Sequence, residues 1–138
     1  MNWNKFVMAS VVGAVLLVVI GLAWHLLLFM DYYTEAMADV GRPEPLIPVA
    51  ILGEVLRGVL LAYIYPFGYQ GGEPWKEGLR FGVALGLFSA MIALIYTAVL
   101  NFSGFGAFWM DLVFFAVQGG IAGIGIAWVY GKQGARAR

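Results

Sequence analysis

The chain has 138 residues, of which 62% are hydrophobic and 12% charged, and its mean hydropathy is +0.86. This composition is far more apolar than that of a soluble domain, and the length allows only one domain, so we expect a single membrane domain over residues 1–138. A formal net charge of zero and the absence of cysteine give no reason to expect nucleic acid as a partner and exclude disulfides and thiol chemistry.

Four apolar stretches predict the architecture. They cover residues 6–29, 46–66, 79–100 and 108–130, and each matches the roughly 20 residues that an α-helix needs to cross the hydrocarbon core of a bilayer. Gly, Pro and acidic residues fill the segments between them, as is typical of loops. The sequence therefore predicts an all-α membrane protein, a bundle of four transmembrane helices.

The first span follows Lys5 and carries His25, the only histidine of the chain. Its apolar run is longer than the core of a signal peptide, so we interpret it as an uncleaved span. His25 is expected about 6 Å below the outer end of the span. One imidazole cannot form a conventional catalytic metal site, and a lone histidine near an interface is more often a hydrogen-bonding anchor, so we predict no metal site and no cofactor.

The second span contains Glu54 and Arg57, the least expected residues of the chain. An ionisable side chain inside a span costs on the order of 3 kcal/mol. A spacing of three places both residues on one helical face, in an order that favours a local ion pair. Two interpretations stay open: the pair neutralises itself and is structural, or it takes part in function.

Small residues recur every four positions in the spans. Without a hydrophobic effect between helices in lipid, close approach of backbones at small residues becomes a main source of packing energy. We therefore predict that helices contact each other at Gly58, Gly82, Gly86, Gly119 and Gly123. The polar residues of the spans share these rows, which indicates that the rows face the interior of the bundle.

The fourth span adds Asp111 and Gln118 to the polar residues at the outer half of the membrane. We expect a polar cluster there that could bind a small solute, a cation or a proton. Tyr96 and Asn101 could extend it. The candidate binding residues are His25, Glu54, Arg57, Asp111 and Gln118.

The basic residues predict the orientation. One side of the membrane receives Lys5, Lys76, Arg80, Lys132, Arg136 and Arg138, whereas the other receives only Arg42. Because cytoplasmic loops carry the excess of Lys and Arg, both termini are expected in the cytoplasm.

Several local features resemble a family of small bacterial four-span membrane proteins, the domain-of-unknown-function family numbered 1761. They are Met1-Asn2-Trp3, the Gly21 to Trp24 end of the first span, the Gly82 and Gly86 pair, and Gly119, Gly120 and Gly123 with Trp128. The resemblance spans the chain, although its motifs are unspecific. It implies a multi-pass protein of the bacterial inner membrane with no known activity, and it supplies no catalytic residues.

Two functional hypotheses follow. No nucleophile motif or phosphate-binding loop is present, so we predict no enzyme and no catalytic residue. The favoured hypothesis is a non-enzymatic integral membrane protein that forms homo-oligomers in the lipid bilayer or is accessory to a larger membrane complex. The alternative is a small ion-coupled or proton-coupled transporter or channel that uses the polar cluster.

Overall fold

The computed structural model describes residues 2–100 and 106–131, and within these ranges all regular structure is helical. The predicted all-α class with four spanning helices is confirmed, because four helices are long and apolar enough to cross a membrane. The helices are α1 (Trp3–Leu22), continued by a π-helical segment (Ala23–Leu28), α2 (Met30–Ala36), α3 (Ile47–Gly68), α4 (Pro74–Val99) and α5 (Gly106–Tyr130).

The helix boundaries follow from local chemistry. The side chain of Asn2 caps α1 by accepting a hydrogen bond of 3.1 Å from the backbone N–H of Lys5. Proline occupies the first turn of both α3 and α4, where its missing N–H costs nothing. Helix α4 starts before the apolar run predicted at 79–100, because Pro74 initiates the helix among polar residues ahead of that run.

The C-terminus of α5 is held by two features. Gly131 has a φ of 65°, which suits glycine, and its N–H donates to the Ala127 carbonyl at 2.9 Å. The ammonium of Lys5 donates to the Tyr130 carbonyl at 2.5 Å, so a cation lies at the negative end of the helix dipole. These contacts bring the start of α1 to the end of α5.

Helix α1 packs against both α3 and α5, and α4 packs along α5. Aromatic side chains fill the end of the bundle where α3 and α5 finish. The ring of Tyr65 stacks on Tyr130 with centroids 5.6 Å apart and meets the edge of Phe81 at 5.3 Å. The Tyr130 hydroxyl donates to the Ala62 carbonyl at 2.9 Å. We call this end the inner end, and the opposite end the outer end, after the predicted topology.

Helices α4 and α5 approach each other so closely at several glycines that a Cβ atom there would overlap the backbone of the other helix. A Cβ atom on Gly82 would overlap the Gly119 carbonyl oxygen, and one on Gly86 would overlap the Phe115 carbonyl oxygen. Gly78 lies in the same way against Gly123. We call this contact, formed by Gly78, Gly82, Gly86, Gly119 and Gly123, the glycine interface.

Helices α1 and α3 cross at another glycine. A Cβ atom on Gly58 would lie 2.5 Å from the backbone nitrogen of Ala14 and 2.6 Å from its Cα. Backbone contact at small residues therefore joins α1 to α3 as well as α4 to α5.

The inner end of the bundle also carries basic residues. Arg80 forms an ion pair of 2.7 Å with Glu77 and donates to Gln70 at 2.5 Å, which ties down the segment between α3 and α4. Lys5 lies at this same end of the bundle. Lys132, Arg136 and Arg138 lie outside the described residues, and the cytoplasmic placement of both termini stays a prediction.

Candidate functional site

Glu54 and Arg57 lie on one face of α3, as their spacing predicts. Arg57 Nη2 is 3.0 Å from Glu54 Oε2, but the guanidinium aims an N–H at Oε1 of Gln118 on α5. The ion pair therefore lacks hydrogen-bond alignment, and among the described residues Glu54 Oε2 is buried without a hydrogen-bond donor. The Arg57 guanidinium also lies over the ring of Phe115, 5.2 Å from its centroid.

Gln118 connects three helices. Its side chain is fully buried, and its amide nitrogen donates to the Leu17 carbonyl of α1 at 2.7 Å and, more weakly, to Glu54 Oε1 at 3.4 Å. We call Glu54, Arg57, Gln118 and the Leu17 carbonyl the polar network. Because each of its helices supplies at least one member, the network fixes how α1, α3 and α5 lie relative to one another.

Gly21 makes room for this network on α1. A Cβ atom there would lie 3.3 Å from the Gln118 amide nitrogen and 3.8 Å from Glu54 Oε1. The first of these separations is tighter than an ordinary contact. The absence of a side chain therefore leaves Glu54 Oε1 facing the bare backbone of α1.

A second group of polar side chains lies nearer the outer end. The Tyr33 hydroxyl of α2 donates to Asp111 Oδ1 of α5 at 2.7 Å, and Trp24 Nε1 donates to the Tyr33 hydroxyl at 3.2 Å. Burial raises the pKa of Tyr33, and the hydrogen bond to Asp111 raises it further, so the hydroxyl keeps its proton and remains a donor even above the ordinary tyrosine pKa. We call Trp24, Tyr33 and Asp111 the tyrosine group.

His25 lies between the polar network and the tyrosine group. Its ring packs against Tyr33 and Phe114, with centroid separations of 4.5 Å and 4.6 Å. Nδ1 is 2.9 Å from the Gly21 carbonyl oxygen. Since a carbonyl oxygen only accepts, Nδ1 carries the proton, and Nε2 is an acceptor when the ring is neutral. His25 lines the same cavity as Glu54, and its ring partner Tyr33 is the hydrogen-bond donor to Asp111.

The π-helical segment Ala23–Leu28 contains both Trp24 and His25. The i to i+5 bonding of a π-helix is rare and is often found at functional sites. In this chain the segment supplies Trp24 to the tyrosine group, and it places His25 between the tyrosine group and the polar network.

The structure divides the five predicted site residues. Glu54, Arg57 and Gln118 contact one another directly, whereas Asp111 has its hydrogen bond with Tyr33. Tyr96, which could have joined them, is 52% exposed on α4, and Asn101 lies outside the described residues.

Four participants lie outside the predicted site residues: Trp24, Tyr33, the Leu17 carbonyl and the space at Gly21. In the sequence, Tyr33 has the features of an interfacial aromatic anchor. Its hydroxyl reaches Asp111 only because α2 folds back over the bundle. Gly21 could have been found, because it shares the spacing-four row of His25. A backbone carbonyl leaves no signal in a sequence.

A cavity of about 220 Å³ lies between α1 and α3 at the outer half of the bundle. Its walls are mainly apolar side chains, with Gly21, His25 and Glu54 at the polar part. We call it the outer cavity. Within residues 2–100 and 106–131, no three His, Asp or Glu side chains come together in a way that could hold a metal ion.

The fold and these groups define a small multi-pass membrane protein with four apolar helices. Comparison of the chain with protein-family models, with curated proteins and with solved structures finds no match. The resemblance to the bacterial family numbered 1761 therefore stays a prediction.

Proposed function

We propose that the protein is a small non-enzymatic membrane protein that works by association, as a homo-oligomer or as an accessory subunit of a larger complex in the bacterial inner membrane, with both termini in the cytoplasm. The observation that carries this proposal is the free face of α3. This helix packs mainly against α1 and touches α4 and α5 far less.

The free face of α3 has a glycine among large apolar side chains. Leu52, Leu56 and Leu60 are 56%, 55% and 57% exposed, respectively. Apart from its chain neighbours and the adjacent backbone of α3, no described atom lies within 4 Å of where a Cβ of Gly53 would be. Leucines alone are well suited to lipid. A glycine at the same surface favours a second helix, because close backbone approach there adds packing energy that lipid chains do not supply.

The interior of the bundle also supports association. The charged pair of α3 is neutralised within the polar network, and aromatic side chains fill the inner end. In the described part of the chain, the bundle interior is thus closed toward the predicted cytoplasmic side. A solute path through one chain would require these packed elements to separate.

The proposal is tested by replacing Gly53 with leucine, which blocks close approach of another helix. We expect energy transfer between labelled copies in liposomes to show self-association of the parent and a loss of at least tenfold in association for Gly53→Leu. Ala84→Leu is the control, since Ala84 is exposed on α4 and gains the same leucine away from α3. Equal association of the parent and both variants would place the interface elsewhere.

One observation favours the transporter hypothesis as a second candidate. His25 lines a cavity at the outer half together with Glu54, and its ring packs on Tyr33, which donates to Asp111. These are the groups that a proton-coupled site requires. A proton or cation flux in liposomes that is present in the parent and lost in His25→Phe would make transport the better conclusion.

A further inference from the structure

We propose that the outer cavity binds a small organic ammonium ion, with an apolar body about as large as benzene and an ammonium group directed at Glu54. This inference goes beyond the proposed function and does not depend on the oligomeric state. It rests on the volume of the cavity, the nature of its walls and the hydrogen-bonding character of its polar groups.

The volume limits the ligand. The outer cavity measures about 220 Å³, and an apolar protein cavity of about 150 Å³ holds benzene. One ring with a short aminomethyl arm therefore fits within it. The apolar walls, formed by side chains such as Leu22, Leu26 and Ile51, match a hydrocarbon body and would penalise a second charge.

The polar groups of the outer cavity accept hydrogen bonds and do not donate them. An ionised Glu54 carboxylate has only acceptor sites. The Nδ1–H of His25 donates a hydrogen bond to the Gly21 carbonyl, so Nε2 of the neutral ring is a hydrogen-bond acceptor. A ligand that satisfies both groups must be a donor, and a charged donor forms the stronger hydrogen bond with a carboxylate.

Arg57 does not act as the hydrogen-bond donor to Glu54 at the cavity. It is not among the residues that line the cavity, and it aims its N–H at Gln118 and lies over Phe115. The hydrogen bond that Glu54 Oε1 receives from Gln118 is long, at 3.4 Å. The carboxylate thus keeps acceptor capacity for a ligand.

Gly21 provides the opening toward the carboxylate. It lines the cavity, and the position of its missing Cβ is 3.8 Å from Glu54 Oε1. The bare backbone of α1 therefore leaves the approach from the cavity to this oxygen unobstructed. An ammonium at the polar part of the cavity lies beside both Glu54 and His25.

The test uses the purified full chain in detergent, with benzylammonium as the probe and benzoate and toluene as probes of equal ring size. We expect benzylammonium to raise the Tm by several degrees in a saturable manner, toluene to raise it less, and benzoate to leave it unchanged. A Tm shift from benzoate as large as that from benzylammonium would overturn the proposal, since the cavity would then not distinguish a cation from an anion.

Two variants locate the site. Ala50 lines the cavity at the surface of α3, so the larger side chain of Ala50→Leu occupies part of it without entering the core and should remove most of the benzylammonium shift. Ala84→Leu, the same change at an exposed position of α4, should keep it. If Ala50→Leu fails to fold, Glu54→Gln serves instead, and benzylammonium should then stabilise no more than toluene does. Retention of the full shift by the variant tested would overturn the proposal.

A lipid headgroup could supply the same chemistry, because phosphatidylethanolamine carries a primary ammonium. Benzylammonium binding is therefore compared in nanodiscs of phosphatidylcholine and of phosphatidylethanolamine. Competition by the ethanolamine lipid would assign the cavity to a headgroup, and unchanged binding would assign it to a free amine. Absence of benzylammonium binding in both lipids would refute the proposal. The proposed association is tested independently of this, by the Gly53→Leu variant.

Discussion

The glycine interface and the polar network hold the same bundle together in opposite ways. Between α4 and α5, the contact depends on atoms that are absent, since any Cβ at Gly82 would overlap the Gly119 carbonyl. Between α1, α3 and α5, it depends on atoms that are present, since the Gln118 amide and the Arg57 guanidinium each reach another helix. The first contact is made by backbone and the second by side chains.

This difference determines how each region tolerates change. Packed backbones have no rotamers with which to accommodate an added group, so a larger residue must push two helices apart. A hydrogen-bonded network tolerates substitution when all of its members are removed together, and it fails when one member is left unpaired at low dielectric. The two regions should therefore respond differently to single and to paired substitutions.

The largest effect is expected from Gly82→Leu. The leucine would overlap backbone atoms of α5, and the free energy of unfolding should fall by more than about 4 kcal/mol, the range reserved for severe core disruption. The measurement is unfolding by sodium dodecyl sulfate in mixed micelles. Ala84→Leu is the control, because Ala84 is exposed on the same helix and gains the same leucine away from α5. Similar unfolding of both variants would mean that α4 and α5 can separate at little cost.

The next largest effect is expected from Arg57→Leu. This change leaves the Glu54 carboxylate without its cation and Gln118 Oε1 without its donor, at a cost of about 3–5 kcal/mol. The double variant Glu54→Leu with Arg57→Leu should lose clearly less, because no unpaired charge remains. The same unfolding assay decides this. A double variant as unstable as Arg57→Leu alone would show that the two residues are not coupled.

The sequence predicted the fold well for a physical reason. Lipid imposes a length and an apolar composition on every span, so the four helices were visible from residues 6–29, 46–66, 79–100 and 108–130. The spacing of Gly82 and Gly86 pointed to the packed face of α4, because a period near 3.6 relates positions on one side of a helix.

The candidate site was only partly predictable. The pairing of Glu54 with Arg57 is local in the chain and follows from their spacing. The partner of Asp111 was not predictable, because Tyr33 is 78 residues away in sequence and reaches it only through the path of α2. The π-helical segment Ala23–Leu28 was also not predictable, since no Pro or Gly within it marks the change.

A moderate effect is expected from Gln118→Leu. The change removes the bond to the Leu17 carbonyl and the acceptor of Arg57 while keeping an apolar side chain in the core. We expect a loss of about 2 kcal/mol, because the partly buried charged donor Arg57 loses its acceptor. Val117→Leu is the control, since Val117 is 43% exposed. If both variants unfold like the parent, Gln118 does not join the three helices energetically.

The smallest effect is expected from Tyr33→Phe in the tyrosine group. The change removes one donor to Asp111 and one acceptor for Trp24. The loss should be below about 1 kcal/mol, as for most hydrogen bonds between side chains in membrane proteins. Tyr32→Phe is the matched control, because the Tyr32 hydroxyl makes no hydrogen bond with any residue that the structure describes. The indole N–H resonance of Trp24 should shift in Tyr33→Phe and stay in place in Tyr32→Phe.

The same pair of proteins gives a pH prediction with a definite sign. The folded-state pKa of Tyr33 is raised above its ordinary value of 10.0, chiefly by burial. In the unfolded chain the hydroxyl ionises near that value, whereas in the folded protein it keeps its proton, so its contribution to stability is complete below pH 10 and declines above it. The stability gap between parent and Tyr33→Phe should therefore narrow as pH rises from 9 to about 11. A constant gap over this range would mean that Tyr33 titrates equally in both states and that its hydroxyl is not buried against Asp111.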